Sequence, residues 1–140
     1  MASIYPWATN SPFVTGVAEA PKAWLEPIRQ GLTLAVVDDA VADGRITMAE
    51  IDRLVLSRKT LAHRRKLGSL TPDQSDRISR LLRMIAAAEE TFGNRVKAHK
   101  WLRQPSSLLD GETPLNRLDT DIGTRQIEAI LGRIAHGIAA

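Results

Sequence analysis

With 140 residues, of which 44% are apolar and 25% are charged, the chain has the composition of one ordinary folded domain or two small helical units. It contains no cysteine, which excludes disulfides and thiolate metal sites and fits a reducing compartment. No apolar run approaches the ~20 residues of a membrane span, and residues 1–20 lack the pattern of a secretory signal. These features predict a cytoplasmic protein with no membrane partner.

The charge is unevenly distributed along the chain, although its net value is only +3. The stretch from Arg53 to Lys66 holds six Lys or Arg and no acidic residue, whereas the stretch from Asp110 to Asp121 holds four acids and one Arg. A local basic block of this kind favours an anionic partner such as nucleic acid.

Taken in chain order, the pattern predicts a flexible N-terminal arm followed by helices only. Residues 1–20 contain scattered Pro, Asn and Gly without a sustained period, which is typical of a mobile arm. Apolar residues then recur at helical spacing over residues 21–30, 33–42, 47–54, 58–66, 72–92, 94–103 and 120–136, with a short turn near residues 114–118. Because no alternating strand pattern is present, the fold class is predicted to be all-α.

Capping residues mark several of these helix ends. Gly31 suits the end of the first helix, and Thr47 with a Glu three residues later forms a capping box. Ser57 is the predicted N-cap of the fourth helix, and Thr71, followed by Pro and Gln74, is that of the long helix. The predicted domains are an arm at residues 1–20, a helix-turn-helix domain at 21–70, a long central or dimerisation helix at 71–93, and a small helical unit at 94–140.

The helices at residues 47–54 and 58–66 have the outline of a helix-turn-helix motif, because about three residues join them and the second is rich in Arg and Lys. Phosphates attract cations, and base edges need hydrogen-bond donors of fixed geometry. The predicted DNA-contacting residues are Ser57, Arg58, Lys59, Thr60, His63, Arg64 and Lys66. Arg65 lies four residues after the inward-facing Leu61 and is assigned to a structural ion pair. The alternative to DNA binding is that the basic side chains of this helix simply face solvent.

No catalytic or metal-binding constellation is found in the sequence. The histidines His63, His99 and His136 are too far apart in sequence to form a pair of ligands on one helix. The adjacent acids at 38–39 and 89–90 point to different faces of a helix, so they are interpreted as solvated. There is no glycine loop of a phosphate-binding kind. We therefore expect no catalytic residue, no metal and no cofactor, and a protein that is not an enzyme.

The C-terminal third carries a skeleton of apolar and turn residues. It consists of Ala98, Trp101, Leu102, Pro105, Leu108, Gly111, Pro114, Leu115, Leu118, Thr120, Gly123, Ile127, Leu131, Ile134 and Gly137. This skeleton resembles the toxin-binding domain of the Xre/MbcA/ParS antitoxins, and the resemblance covers residues 91–137.

The basic helix pair carries a second resemblance to the same family. Gly31, the helix at 47–54 and the string Ser57, Arg58, Thr60, Leu61, Arg64 and Arg65 are similar to the Xre-like helix-turn-helix, as are the following Leu70, Asp73, Ser75 and Arg77. The chain differs from the family pattern in the turn, where it has Leu54, Val55 and Leu56 instead of a Leu-Gly-Ile string.

The resemblance implies a function. Antitoxins of this architecture are encoded beside a toxin of the RES type, which consumes NAD or transfers its ADP-ribose, and they cover its active-site entrance. By implication the toxin-binding residues are Leu108, Leu109, Gly111, Pro114, Leu115, Leu118, Arg133, His136 and Gly137. Residues 133–140 are the candidate for insertion into the toxin's pocket, with a frayed helix end as the alternative. The implied partners are the cognate RES-type toxin and operator DNA, with a homodimer and a higher toxin-antitoxin assembly.

Two alternatives to an autorepressing antitoxin remain open. One is a stand-alone helix-turn-helix transcription regulator whose C-terminal unit dimerises or senses a signal. The other is an adaptor that has lost DNA binding, which a buried basic helix would favour. The helix at 72–92 is either a dimerisation element or the central helix of its own domain.

Overall fold

The computed structural model describes residues 20–137, with side chains described from Leu25 onward. The predicted arm lies outside this range, apart from Ala20. The described residues form seven α-helices, which are α1 (Ala20–Gln30), α2 (Ala35–Ala42), α3 (Met48–Leu54), α4 (Arg58–Leu67), α5 (Pro72–Phe92), α6 (Arg95–Leu102) and α7 (Asp121–Ala135). Two 3₁₀ turns, at Ser107–Leu109 and Leu115–Asp119, lie between α6 and α7. Within residues 20–137 no strand is formed beyond a single bridge between Thr33 and Ser69, so the all-α prediction is confirmed.

The helices begin at the capping residues that the sequence predicts. At α3, Thr47 Oγ1 accepts from the Glu50 N–H at 3.1 Å and Glu50 Oε1 accepts from the Thr47 N–H at 3.0 Å. The same reciprocal pair forms between Thr71 and Gln74 at the start of α5. Each box satisfies two backbone donors that a helix start otherwise leaves unpaired. Most helix bounds agree with the prediction to within one residue, but α2 begins at Ala35 rather than at residue 33, and the 3₁₀ turn at Ser107–Leu109 was not predicted.

The chain divides into two compact units, and the division falls inside α5 between Leu82 and Arg83. The apolar positions of α5, Ile78, Leu81, Leu82, Ile85 and Ala88, are all buried. Each of these side chains packs in the core of its own unit. This burial favours α5 as a central helix over α5 as a dimerisation element. No helix in the described part of the chain is long and apolar enough to cross a membrane.

In the first unit, backbone contacts join the α1–α2 connection to the start of α5. The Leu32 N–H donates to the buried Ser75 Oγ at 2.8 Å, and the Leu70 N–H donates to the Leu32 carbonyl at 2.8 Å. Gly31 has φ +92°, and a Cβ there would collide with the Leu70 carbonyl. Only glycine fits both the left-handed conformation and this close approach. Around these contacts the core contains fully buried Val37, Ile51 and other aliphatic residues.

In the second unit, α7 contacts the 3₁₀ turn at Leu115–Asp119. Gly123 allows this approach, because a Cβ at that position would overlap the Arg117 carbonyl oxygen. The core is aliphatic and includes Leu102, Leu109, Leu115 and Ile127, each at most 1% exposed.

Trp101 belongs to the same unit and is half-buried. Its ring contacts Phe92, with centroids 5.5 Å apart and planes tilted by 48°. This tilted arrangement is one that aromatic pairs prefer. Trp101 therefore packs against the end of α5 within its own unit.

Candidate functional site

The turn between α3 and α4 is three residues long, as predicted, and it forms without glycine. Val55 lies in the right-handed region at φ −118° and ψ −64°. Because no residue of the turn needs a positive φ, the family's glycine is dispensable here. Val55 and Leu56 are instead buried, at 5% and 7% exposure. The turn is therefore fixed by apolar side chains that anchor α4 to its unit.

Side chains of Ser57, Thr60 and Asp52 form hydrogen bonds around the start of α4. The Ser57 hydroxyl accepts from the Thr60 N–H at 3.2 Å and donates to Thr60 Oγ1 at 2.9 Å. The Arg58 N–H donates to Asp52 Oδ1 at 2.7 Å. These bonds use the Ser57 hydroxyl and the Arg58 and Thr60 amides inside the protein, so Ser57, which was predicted to contact DNA, serves here as the N-cap of α4.

The face of α4 opposite the buried Leu61 carries the basic residues that are available to a partner. Lys59, His63 and Lys66 point away from the core and are exposed, with Ala62 beside them. Within the described residues their side chains make no hydrogen bond or ion pair. A face of this kind presents donors and positive charge to solvent, as contact with an anionic groove requires. The basic helix is not buried, so the observation that would favour the adaptor alternative is absent from the described structure.

Two further arginines of α4 stabilise the fold. Arg65 forms a bidentate pair with Asp38, at 2.7 Å and 3.2 Å, which agrees with its predicted structural ion pair and shows that Asp38 is not simply solvated. The hydrogen bond to Asp38 raises the pKa of Arg65 further above its usual range. Arg64 was predicted as a groove contact, but its Nε donates to the Ser69 carbonyl at 2.8 Å. This hydrogen bond stabilises the end of α4 and leaves less of the Arg64 guanidinium available to DNA.

In the second unit, four of the predicted toxin-binding residues lie inside the protein. Leu109, Leu115 and Leu118 are 1%, 1% and 4% exposed, and Pro114 is also buried. The structure therefore corrects the expectation that these side chains form a surface: they build the core beneath it. Leu108, at 55% exposure, points outward from the same segment, and the neighbouring Gly111 is exposed.

Arg117 holds this segment in place. Its guanidinium donates to the Leu109 carbonyl at 3.0 Å and to Gln126 Oε1 of α7 at 2.9 Å, and it lies 3.1 Å from Glu112 Oε1. Asp110 and Gly111 form the bend in the left-handed region, at φ +56° and +85°. A single half-buried arginine thus connects the loop that presents Leu108 to the last helix.

The outer face of α7 adds exposed residues to this unit. Arg133 and His136, two of the predicted toxin-binding residues, are exposed, and Gly137 ends the described chain at φ +72°. Residues 138–140, part of the predicted inserted terminus, lie outside the described residues. Ile122 is 81% exposed and was not predicted. Its exposure could have been predicted from the sequence, because Ile122 lies five residues before the buried Ile127 and therefore about 140° away from it around the helix.

The remaining polar cluster of the second unit is structural. Glu89, which was interpreted as solvated, is half-buried and its Oε2 lies 2.6 Å from His99 Nε2. Arg103 lies 2.8 Å from the other ring nitrogen of His99 and can only donate, so Nδ1 accepts and Nε2–H donates to Glu89. Within the described residues no group of His, Asp or Glu is placed to hold a metal ion.

Comparisons with known proteins agree with this two-unit arrangement. The antitoxin Xre-like helix-turn-helix domain matches residues 23–83, and the antitoxin Xre/MbcA/ParS C-terminal toxin-binding domain matches residues 87–137. A protein named antitoxin Xre from Yersinia enterocolitica is 32% identical over 117 residues, which are 81% of this chain and 79% of that protein. The chain belongs to the Xre/MbcA/ParS family of antitoxins.

Two further antitoxin Xre proteins are similar over shorter stretches. The one from Pseudomonas putida is 37% identical over 94 residues, which are 67% of this chain and 59% of that protein. The one from Photorhabdus laumondii is 38% identical over 74 residues, which are 52% of this chain and 50% of that protein. The chain thus spans about half to three fifths of these two relatives. In the Xre/MbcA/ParS pattern the two matched domains meet at residues 83–87, next to the structural division at Leu82 and Arg83.

Proposed function

We propose that this chain is an antitoxin that neutralises a RES-type toxin through its second unit and represses its own operon through α4. Family membership supports the general role, and the exposed basic face of α4 is the observation that carries the DNA-binding half. A protein that binds operator DNA and an intracellular toxin would act in the cytoplasm, and this is the location we propose. The protein would act on them as a binding partner, with no chemistry of its own.

The proposed DNA contacts are those that the structure leaves available. Lys59, His63 and Lys66 project from α4 opposite its buried side, and Arg58 flanks them. In a helix-turn-helix protein the second helix enters the major groove, where its cations also approach phosphates. Ser57, Thr60 and Arg64 then act mainly by fixing the start and end of α4, because their polar groups already form internal hydrogen bonds.

Removing two cations from this face tests DNA binding. We expect Lys59→Gln with Lys66→Gln to weaken binding to the promoter fragment about tenfold and to lower the salt dependence by ~0.9 in the log-log slope for each lost phosphate contact. The measurement is a fluorescence anisotropy titration at several salt concentrations. The matched control is Lys97→Gln with Lys100→Gln, which removes the same charge from two exposed positions of α6. Equal binding and slope in the α4 variant would contradict the assignment.

The proposed toxin-binding surface consists of the exposed residues of the second unit. It includes Leu108 and Gly111 in the connecting segment, Arg133, His136 and Gly137 at the end of α7, and Ile122 near its beginning. Leu108 and Ile122 expose large apolar side chains, and burying them against a toxin would contribute hydrophobic free energy to the complex. Leu109, Pro114, Leu115 and Leu118 support the surface from below.

A charge placed on this surface at Ile122 tests toxin binding. We expect Ile122→Glu to abolish rescue of cells that express the neighbouring toxin gene, because the carboxylate would be desolvated in the interface. Promoter binding should stay unchanged. Val96→Glu is the matched control, since Val96 is 79% exposed on α6, outside the proposed surface. If Ile122→Glu rescues growth as well as the control does, α7 is not part of the neutralising surface.

We also propose that the protein binds its operator as a dimer. One α4 covers only a few base pairs, and two copies spaced by one helical turn of DNA provide the missing affinity. The apolar face of α5 is already buried within each chain, so the dimer contact would use another surface.

A further inference from the structure

The outward face of α4 has an unusual chemical bias that bears on which bases it recognises. Its exposed side chains provide hydrogen-bond donors at Lys59, His63 and Lys66 and a methyl group at Ala62. The face carries no Asp, Glu, Asn or Gln, and among its exposed side chains only the imidazole of His63 has a nitrogen that can serve as an acceptor. The carboxylate of Asp52 lies at the helix start, where it accepts from the Arg58 N–H.

Base pairs differ in what they present in the major groove. Guanine presents two acceptors, N7 and O6, whereas recognition of the adenine or cytosine amino group needs a side-chain acceptor. Thymine presents an acceptor and a methyl group, which small apolar side chains contact. A face made of donors and one methyl group is therefore complementary to guanine and thymine.

We infer that α4 recognises a half-site in which guanine lies opposite Lys59 and His63 and a thymine methyl lies against Ala62. This inference rests on the proposed DNA binding by α4 and specifies the sequence class of the operator. In such motifs the residues near the start of the second helix contact base edges. Lys59, Ala62 and His63 occupy that part of α4, while Lys66, one further turn along, is left for a phosphate.

The geometry of the helix start favours this division of roles. Because Ser57 and Thr60 bind each other and Asp52 binds the Arg58 amide, neither hydroxyl nor the first amide competes for bases. Arg65 is turned to Asp38 and Arg64 to the Ser69 carbonyl, so neither long guanidinium is free to replace Lys59 at a guanine edge. The row Lys59, Ala62 and His63 therefore faces the bases, and the exposed guanidinium of Arg58 flanks it as a further donor.

The experiment substitutes single atoms of the DNA. The promoter-region half-site is first located by footprinting with the full chain, and duplexes are then made with 7-deazaguanine for guanine or with deoxyuridine for thymine at single positions. Affinities are measured by anisotropy at one salt concentration. We expect at least one 7-deazaguanine to weaken binding about 5- to 100-fold. At least one deoxyuridine should weaken it about three- to fourfold, because a single buried methyl group is lost.

The same probes with protein variants assign each contact. Lys59→Ala should lose its sensitivity to one 7-deazaguanine, and Ala62→Gly should bind the thymine and deoxyuridine duplexes equally. Both comparisons are ratios between two duplexes for one variant, so a modest loss of helix stability cancels. Lys97→Ala serves as the control and should keep the sensitivities of the original chain.

The outcomes separate this inference from the proposed function. The inference is supported if affinity depends on a guanine N7 and on a thymine methyl group, and if Lys59→Ala removes the first dependence and Ala62→Gly the second. Strong promoter binding that is indifferent to every such substitution overturns the inference and leaves DNA binding by α4 in place. An absence of any promoter preference overturns both.

Discussion

At the scale of single residues, close backbone approaches decide which side chains are tolerated. Gly123 lies where α7 meets the 3₁₀ turn, and any Cβ there would overlap the Arg117 carbonyl oxygen. Gly132 lies in the same helix with no neighbouring atom within 4 Å of an added Cβ. The two positions thus share a helical backbone and differ in the space around it.

This difference predicts opposite effects of the same substitution. Gly123→Ala should destabilise the protein by about 1–3 kcal/mol, the cost of overpacking a rigid contact. Gly132→Ala should stabilise it by roughly 0.4–1 kcal/mol, because alanine reduces the entropy of the unfolded chain and favours the helix. Urea unfolding of the two variants measures both values. Equal changes of the same sign would refute the role of the Arg117 contact.

Residue roles were predictable from sequence where they depend on neighbours within one helical turn. The inward direction of Leu61 follows from the helical spacing of apolar residues. The structural ion pair of Arg65 follows because Arg65 lies four residues after Leu61, on the same side of the helix. The Arg64 bond to Ser69 and the pairing of Glu89 with His99 were not predicted, because helix periodicity says nothing about contacts across a turn or between helices. The burial of Leu109, Leu115 and Leu118 was missed for a related reason: a family pattern marks positions without saying whether they serve the core or the surface.

At the scale of elements, the N-caps define where the helices begin. Thr47, Ser57, Thr71 and Thr120 each satisfy a backbone donor with a side-chain oxygen. Such caps depend on residues three positions apart, so the sequence alone located those at Thr47, Ser57 and Thr71; the cap at Thr120 was not predicted. The 3₁₀ turn at Ser107–Leu109 escaped prediction because three residues are too few to show a period.

The capping box at the start of α5 provides a test at this scale. Thr71→Ala should destabilise the protein by about 1 kcal/mol, because the Gln74 N–H loses its acceptor. Thr71→Ser is the control and should retain most of the stability, since its hydroxyl can accept the same bond. Thermal unfolding followed by circular dichroism gives the comparison. A serine variant as unstable as the alanine variant would assign the loss to packing of the threonine methyl group instead.

At the scale of the whole molecule, the two units have separate proposed tasks. In the proposed function, the first would present the donor-rich face of α4 to DNA, and the second would present the exposed Leu108 and the outer face of α7 to the toxin. The all-α class and the order of the units were predictable, because both follow from local periodicity and from family motifs. The division inside α5 was not, since a long helix of regular period gives no sign that its two halves belong to different cores.

Co-expression with the neighbouring toxin gene tests the proposed antitoxin function most directly. We predict that the neighbour alone arrests growth and that the full chain restores it, with Ile122→Glu failing to do so and Lys59→Gln with Lys66→Gln still succeeding. A neighbour that is harmless by itself, or an arrest that the full chain does not relieve, would contradict the proposed function.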